Sequence, residues 1–366
     1  MDDDRALQFA ERVIALVDSG KKSATYKLAT LLALMDVAAE HTTPDGGPPS
    51  ELSARDVGRR VVELYWPQSR AFPMPDGPPV LRQSAQNDIP RKLAAFRTTH
   101  GLRATAPLAE AASAAPEGWS RLERELIEVV IRMPLPKLQR FGDGSRAVED
   151  RFLYDHAWPD EVPVSVIRRA DFDDRLVLRP AVGAWLVRLT PLLRPLIESK
   201  WIDRVARQNP GLEWHRLDEF LFGATRVSLD RLRAPLLDVQ RGRCFYCEGR
   251  LGGAADVDHF VPWSRHPDNL LDNLVVAHPA CNNAKRASIA SHRHLEAWVA
   301  RSADVALEEV AAVWPRNRER SLGAVTSTYL WLPPETPLWL RKDEYERVDP
   351  ALVRELLVRA VRTAAA

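Results

Sequence analysis

Cys244, Cys247 and Cys281 are the only cysteines of the chain. Cys244-Phe245-Tyr246-Cys247 sets two thiols one tight turn apart, and His278-Pro279-Ala280-Cys281 repeats the spacing with histidine in the first place. The four side chains form a Cys₃His set, the donor composition of a closed tetrahedral Zn²⁺ site. One C-x-x-C pair alone would equally suit buried thiols or a redox couple. The second pair, at matching spacing, favours a structural metal. His278 is the fourth ligand by position, with His266 and His292 as less well spaced substitutes.

The gap between the two pairs is longer than in a simple zinc ribbon, so a working segment is inserted there. Alternation in "DVDHFVPWS" predicts a strand, "NLVVAH" predicts a second, and "CNNAKRASIA" can begin a helix. The predicted order is strand, loop, strand, helix, with metal ligands at both ends.

In order and spacing, Cys244/Cys247, Asp258-His259, Asn273-Leu274, His278/Cys281 and Asn282-Asn283-Ala284-Lys285 resemble the HNH, or ββα-metal, nuclease superfamily. The resemblance spans roughly residues 236–298. It implies hydrolysis of a phosphodiester, which needs an activated water and charge neutralisation at the phosphate. His259 is implied as general base, its ordinary pKa lying near neutrality. Asp258 and Asn282 are implied ligands of a catalytic Mg²⁺ or Mn²⁺, a hard cation that takes oxygen donors. Asn273 is implied to fix the loop and orient the His259 ring. Lys285 and Arg286, read in the first helical turn, are implied phosphate contacts.

Two departures from the family pattern stand out. Asn282 occupies the place of the final histidine of the family name, and Asn283 is the alternative ligand if the helix starts differently. His278 replaces the commoner fourth cysteine. His266, Asp268 and Asp272 read as a solvated turn, and Trp263 reads as packing on the hairpin.

The elements that must hold this segment are mostly helical. Apolar residues recur at helical spacing in "DDRALQFAERVIALVDSG", ending at Gly20, and "SATYKLATLLALMDVAAEH" is apolar nearly all round, as a buried helix is. Ser53 is a candidate cap for "ARDVGRRVVELYW". "PQSRAFPMPDGPP" reads as a loop, and "VPVSVIRRADFDDRLVLRP" as short and extended. The expected fold class is α+β, predominantly α-helical, with a small zinc-stabilised ββα-metal module near the C-terminus. Expected divisions are residues 1–115, a helical domain for substrate or partner recognition; 116–227, a mainly helical middle region; 228–300, the nuclease module; and 301–366, a helical end.

The chain has 366 residues and a net charge of +1. A nucleic-acid surface must therefore be a local patch balanced elsewhere. Arg91, Lys92, Arg97 and Arg103 make one candidate patch, better read as a solvated helix face; Arg316, Arg318 and Arg320 make another. The acidic start, the absence of a long apolar run and the sparse cysteines predict a cytoplasmic protein with reduced thiols and no membrane partner. The expected function is a metal-dependent endonuclease acting on DNA, with RNA not excluded, in prokaryotic restriction or anti-phage defence. A homodimer or a companion defence protein is the expected partner. The rival readings are a non-catalytic zinc-stabilised nucleic-acid-binding or scaffold protein, and an effector nuclease that needs a partner or a signal.

Overall fold

The apolar and amphipathic periodicities of the first half fold as helices. The structure, a computed structural model, describes residues 3–19, 25–73, 80–84, 88–142, 147–223, 228–301 and 304–364. The helix end expected at Gly20 and residues 74–79 of the proline-rich loop lie outside them. The chain forms two compact units: Met1–Val37 with Pro49–Ser228, and Ala38–Pro48 with Leu229–Ala366.

In the first unit, α1 (Asp3–Ser19) and α2 (Tyr26–Glu40, whose last three residues belong to the second unit) are followed by β1 (Glu51–Ser53) and α3 (Ala54–Tyr65). Ser53 caps α3, its hydroxyl accepting from the Arg55 and Asp56 N–H groups. Next come α4 (Asp88–Thr99), α5 (Pro116–Arg132), β2 (Tyr154–Asp155), β3 (Arg175–Leu178) and the long α6 (Val182–Gln208). The extended segment foreseen near Arg175 becomes the middle strand of a small antiparallel sheet, ordered β1-β3-β2. Residue 115 falls inside this unit, because α3 packs on α5 with Gly58 against Ile127; a Cβ on Gly58 would lie 3.0 Å from Ile127 Cγ2. Buried Asp36 joins three helices: it accepts from Arg60 Nε at 2.9 Å and from Arg194 Nη2. Losing either arginine would leave a charge buried and under-compensated.

The second unit carries the predicted module. It comprises α7 (Asp230–Val239), β4 (Asp256–His259), β5 (Leu274–Ala277), α8 (Pro279–Lys285), α9 (His292–Arg301), α10 (Arg318–Leu330), the hairpin β6 (Pro337–Arg341) and β7 (Glu344–Arg347), and α11 (Pro350–Ala364). β4 and β5 are antiparallel, pairing Asp256 with Ala277 and His259 with Leu274. The core beneath them includes Phe260, Val275, Trp298, Tyr329 and Trp339. Phe260 stacks on Trp298 and on Tyr329, with ring centroids 5.8 and 6.2 Å away. Residue 300 also falls inside a unit, since α9 and α10 both pack on α11. Among the described residues no helix is long and apolar enough to cross a membrane.

Candidate active site

The first cysteine pair sits on a tight turn. Cys244 N–H donates to the Gly249 carbonyl and Glu248 N–H to the Cys244 carbonyl, each at 2.9 Å, with Glu248 in the left-handed region (φ +59°). The second pair forms the start of α8: His278 is its N-cap, and Pro279 fills the first helical position, where no N–H is needed. The ligand atoms of Cys244, Cys247, His278 and Cys281 all lie within 4.8 Å of one another. His278 Nε2 is 3.1 Å from the Arg250 carbonyl, which can only accept, so Nε2 carries the hydrogen. Nδ1, 3.2 Å from Cys247 Sγ, then offers its lone pair to the thiols. Burial, followed by the neighbouring Cys244 and Cys247, pushes the Cys281 thiol up to about 12. Three thiols this close ionise together only with a cation among them. The soft donors and fixed imidazole tautomer fit zinc.

Alternation along β4 turns Asp256 and Asp258 to the same face, and α8 lies across it. Asn282 and Lys285, three residues apart on that helix, meet the two carboxylates in turn. Asn282 Nδ2 donates to Asp256 Oδ2 at 3.1 Å, and Lys285 Nζ lies 3.0 Å from Asp258 Oδ2. Lys285 also donates to the His259 carbonyl at 2.8 Å and is fully buried. Burial lowers its pKa, while Asp258 opposes that shift. The Tyr246 hydroxyl donates to the same Asp258 oxygen at 2.5 Å; burial first, and Asp258 second, raise its pKa, which keeps it a donor. These contacts use only Oδ2 of Asp258.

The His259 ring has different neighbours. Its Nε2 lies 2.8 Å from Asn269 Oδ1, and the Trp263 ring meets it edge-on at 5.1 Å. With Nε2–H donated to Asn269, Nδ1 keeps a basic lone pair. Burial lowers the His259 pKa, which keeps the imidazole neutral, the form a base requires. Asn273 holds the loop rather than the ring: its Oδ1 accepts from Val261 N–H at 2.8 Å, and its Nδ2 donates to the Asp268 carbonyl at 3.2 Å.

Several sequence expectations meet a different arrangement. Lys285 ends α8 instead of opening it, and its ammonium is committed inside the fold. Arg286 follows as an exposed C-cap at φ +51°. Asn283 is exposed, so of the two adjacent asparagines Asn282 is the one on the seam with β4. His266, Asp268 and Asp272 are buried, not solvated, and Asp272 is paired with Arg316 at 3.1 Å. Arg316 is thereby an internal tie; Arg318 donates to the Ala360 carbonyl, and Arg320 pairs with Glu40 at 2.8 Å. In the first unit, Arg97 is buried over the Trp66 ring, 3.7 Å from its centroid, while Lys92 and Arg103 pair with Glu125 and Glu110. Trp263 packs on the module as foreseen. Tyr246, Asp256 and Asn269 were not singled out from the sequence. Alternation in Asp256-Val257-Asp258 carried the signal for Asp256, whereas Tyr246 and Asn269 had none that spacing could resolve.

The oxygens of Asp258, Asn282 and Asp256 are hard donors on one seam, a composition that fits a divalent cation of the Mg²⁺ class. A cavity of about 200 Å³ opens beside Asp256 and Asn282. No curated protein and no solved structure matches the chain. Residues 245–291, the span from just after Cys244 through Cys247, the β4–β5 hairpin and α8, match the family model of the HNH endonucleases.

Proposed function

We propose that the protein is a metal-dependent HNH endonuclease that hydrolyses DNA phosphodiester bonds. His259 accepts the proton of the attacking water, and Asn269 holds its ring. Asp258 and Asn282 hold a Mg²⁺ or Mn²⁺ ion, while Cys244, Cys247, His278 and Cys281 hold a structural Zn²⁺. Bound at that seam, a divalent cation supplies charge neutralisation at the phosphate and the departing oxygen. Lys285, assigned from sequence to phosphate, acts here as the internal counter-charge of Asp258; Arg286 remains exposed for phosphate contact. Asn273 fixes the loop that carries Asn269.

The observation that best supports this reading is a neutral, buried imidazole whose neighbour in sequence, Asp258, faces the helix that carries Asn282. A purely structural zinc module has no need of that pairing. Restriction or anti-phage defence, in the cytoplasm, is the setting we assign, with a homodimer or a companion protein supplying any second cut. Plasmid DNA incubated with Mg²⁺ or Mn²⁺ tests the reading. Wild type should nick or cut, and His259→Ala should lower the rate by about 10²–10⁴-fold. Inactivity of wild type with every divalent metal, alone and with companions, would favour the non-catalytic binding protein. Activity only with a companion or a small-molecule signal would identify an effector nuclease.

A further inference from the structure

The first turn of α7 borders the β4–α8 seam. The cavity of about 200 Å³ there is lined by Leu229, Asp230, Arg233, Asp256, Val257 and Asn282. Arg233 is the one cation among these lining residues. A guanidinium beside the ligand seam would add a bidentate contact to a phosphate that the divalent cation only partly neutralises. Lys285 does not serve, being fully buried on Asp258 and the His259 carbonyl. Arg286 leaves α8 in the left-handed region with its Nε on the Asn283 carbonyl, and it does not line the cavity. Arg233 is 47% exposed and held 2.7 Å from Asp230 Oδ1, an i,i+3 surface pair. Pairs of this class are weak, and a phosphate offers the same guanidinium a bidentate partner. Asp256 meanwhile fixes the Asn282 carboxamide by accepting from Nδ2.

We infer that this cavity is a phosphate subsite for a nucleic-acid strand, with Arg233 as its cation. The inference rests on the nuclease reading and adds a residue outside the matched segment. It also carries a charge condition. Asp230 and Asp256 outweigh Arg233 by one negative charge, so the subsite repels phosphate until a divalent cation joins the seam. The contribution of Arg233 should therefore depend on that cation.

Fluorescence anisotropy of the full chain with labelled single-stranded and duplex DNA, in Ca²⁺ and then in chelator-free buffer without added divalent cation, so that the clasp keeps its zinc, across a salt series, tests this. In Ca²⁺, Arg233→Ala should weaken binding roughly threefold to tenfold and reduce the logarithmic salt slope by about 0.7–0.9. Arg233→Lys should restore the slope, and Asp230→Asn should tighten binding by freeing the guanidinium. Without added divalent cation, wild type and Arg233→Ala should converge. Equal affinity and slope for Arg233→Ala and wild type in Ca²⁺ would overturn the subsite, as would an equal loss in both buffers, the mark of diffuse surface charge. If wild type cleaves while Arg233→Ala binds normally, only the subsite falls. If wild type neither binds nor cleaves DNA or RNA, the nuclease reading falls with it. The same Arg233 dependence with RNA alone would keep the subsite and change the substrate.

Discussion

The clasp and the seam between β4 and α8 both reach onto the same helix yet are balanced in opposite ways. The clasp gathers three thiols and one imidazole within 4.8 Å, with no lysine or arginine among the four side chains. The seam already contains its counter-charge: Lys285, fully buried, sits on Asp258. The difference teaches that the clasp would need a metal to balance three thiolates, whereas Asp258 in the seam is balanced by Lys285 without one. α8 couples them, since Cys281 and Asn282 are consecutive.

Removing the clasp is the severest way to break this contrast. Purified protein should hold about one zinc per chain. Chelation, or Cys281→Ala, should melt the second unit, because structural zinc in small modules contributes on the order of 10 kcal/mol to folding. Metal analysis with amide hydrogen exchange checks this, and an unchanged exchange pattern after zinc loss would show that the clasp is dispensable. Lys285→Ala should come next, at about 3–5 kcal/mol, since it strands a buried carboxylate. Denaturant unfolding of Lys285→Ala against Lys285→Met/Asp258→Asn checks it, and the double variant should be the more stable. If the single variant matches wild type, the seam is not balanced by Lys285. Asn269→Ala should lower kcat roughly tenfold with little change in KM or melting, and Asn269→Asp, which keeps the acceptor, should recover part of the loss. Equal kcat in Asn269→Ala would free His259 from that partner.

The smallest effect concerns pH. Burial lowers the pKa of His294, which lies 3.1 Å from the Tyr246 carbonyl and stacks on Trp339. Below about pH 6.5 the unfolded chain takes up a proton that the folded chain resists, so stability present above that pH is lost as pH falls. His294→Gln should flatten the slope of melting temperature between pH 5 and pH 7. A slope identical to wild type would assign the acid sensitivity to other groups.

Local chemistry made much of the module legible. The two C-x-x-C-type spacings gave the clasp, alternation gave both strands, and a helix followed as expected. What failed were contacts made over distance. "PDNLLDNL" contains Asn269-Leu270 and Asn273-Leu274, and spacing could not say which carboxamide meets His259. The 3₁₀ turn Leu271–Asn273 decides it by turning Asn273 to the loop backbone. Arg316 and Arg320 looked like a basic loop because their partners, Asp272 and Glu40, are remote in sequence. Asp272 and His266 looked solvated for the same reason. The β6–β7 hairpin also went unforeseen; its turn is carried by Asp343 at φ +61°, without a glycine to announce it.

The Nε2–H of His278, donated to the Arg250 carbonyl, reaches beyond geometry into the charge that the site presents. Three thiolates around a zinc ion leave a net charge of −1, and a fourth cysteine in place of His278 would make it −2. That change would sit one residue beyond β5 and four before Asn282. With zinc in the clasp, the imidazole would close the coordination shell without adding to the repulsion of the nucleic-acid strand proposed as substrate.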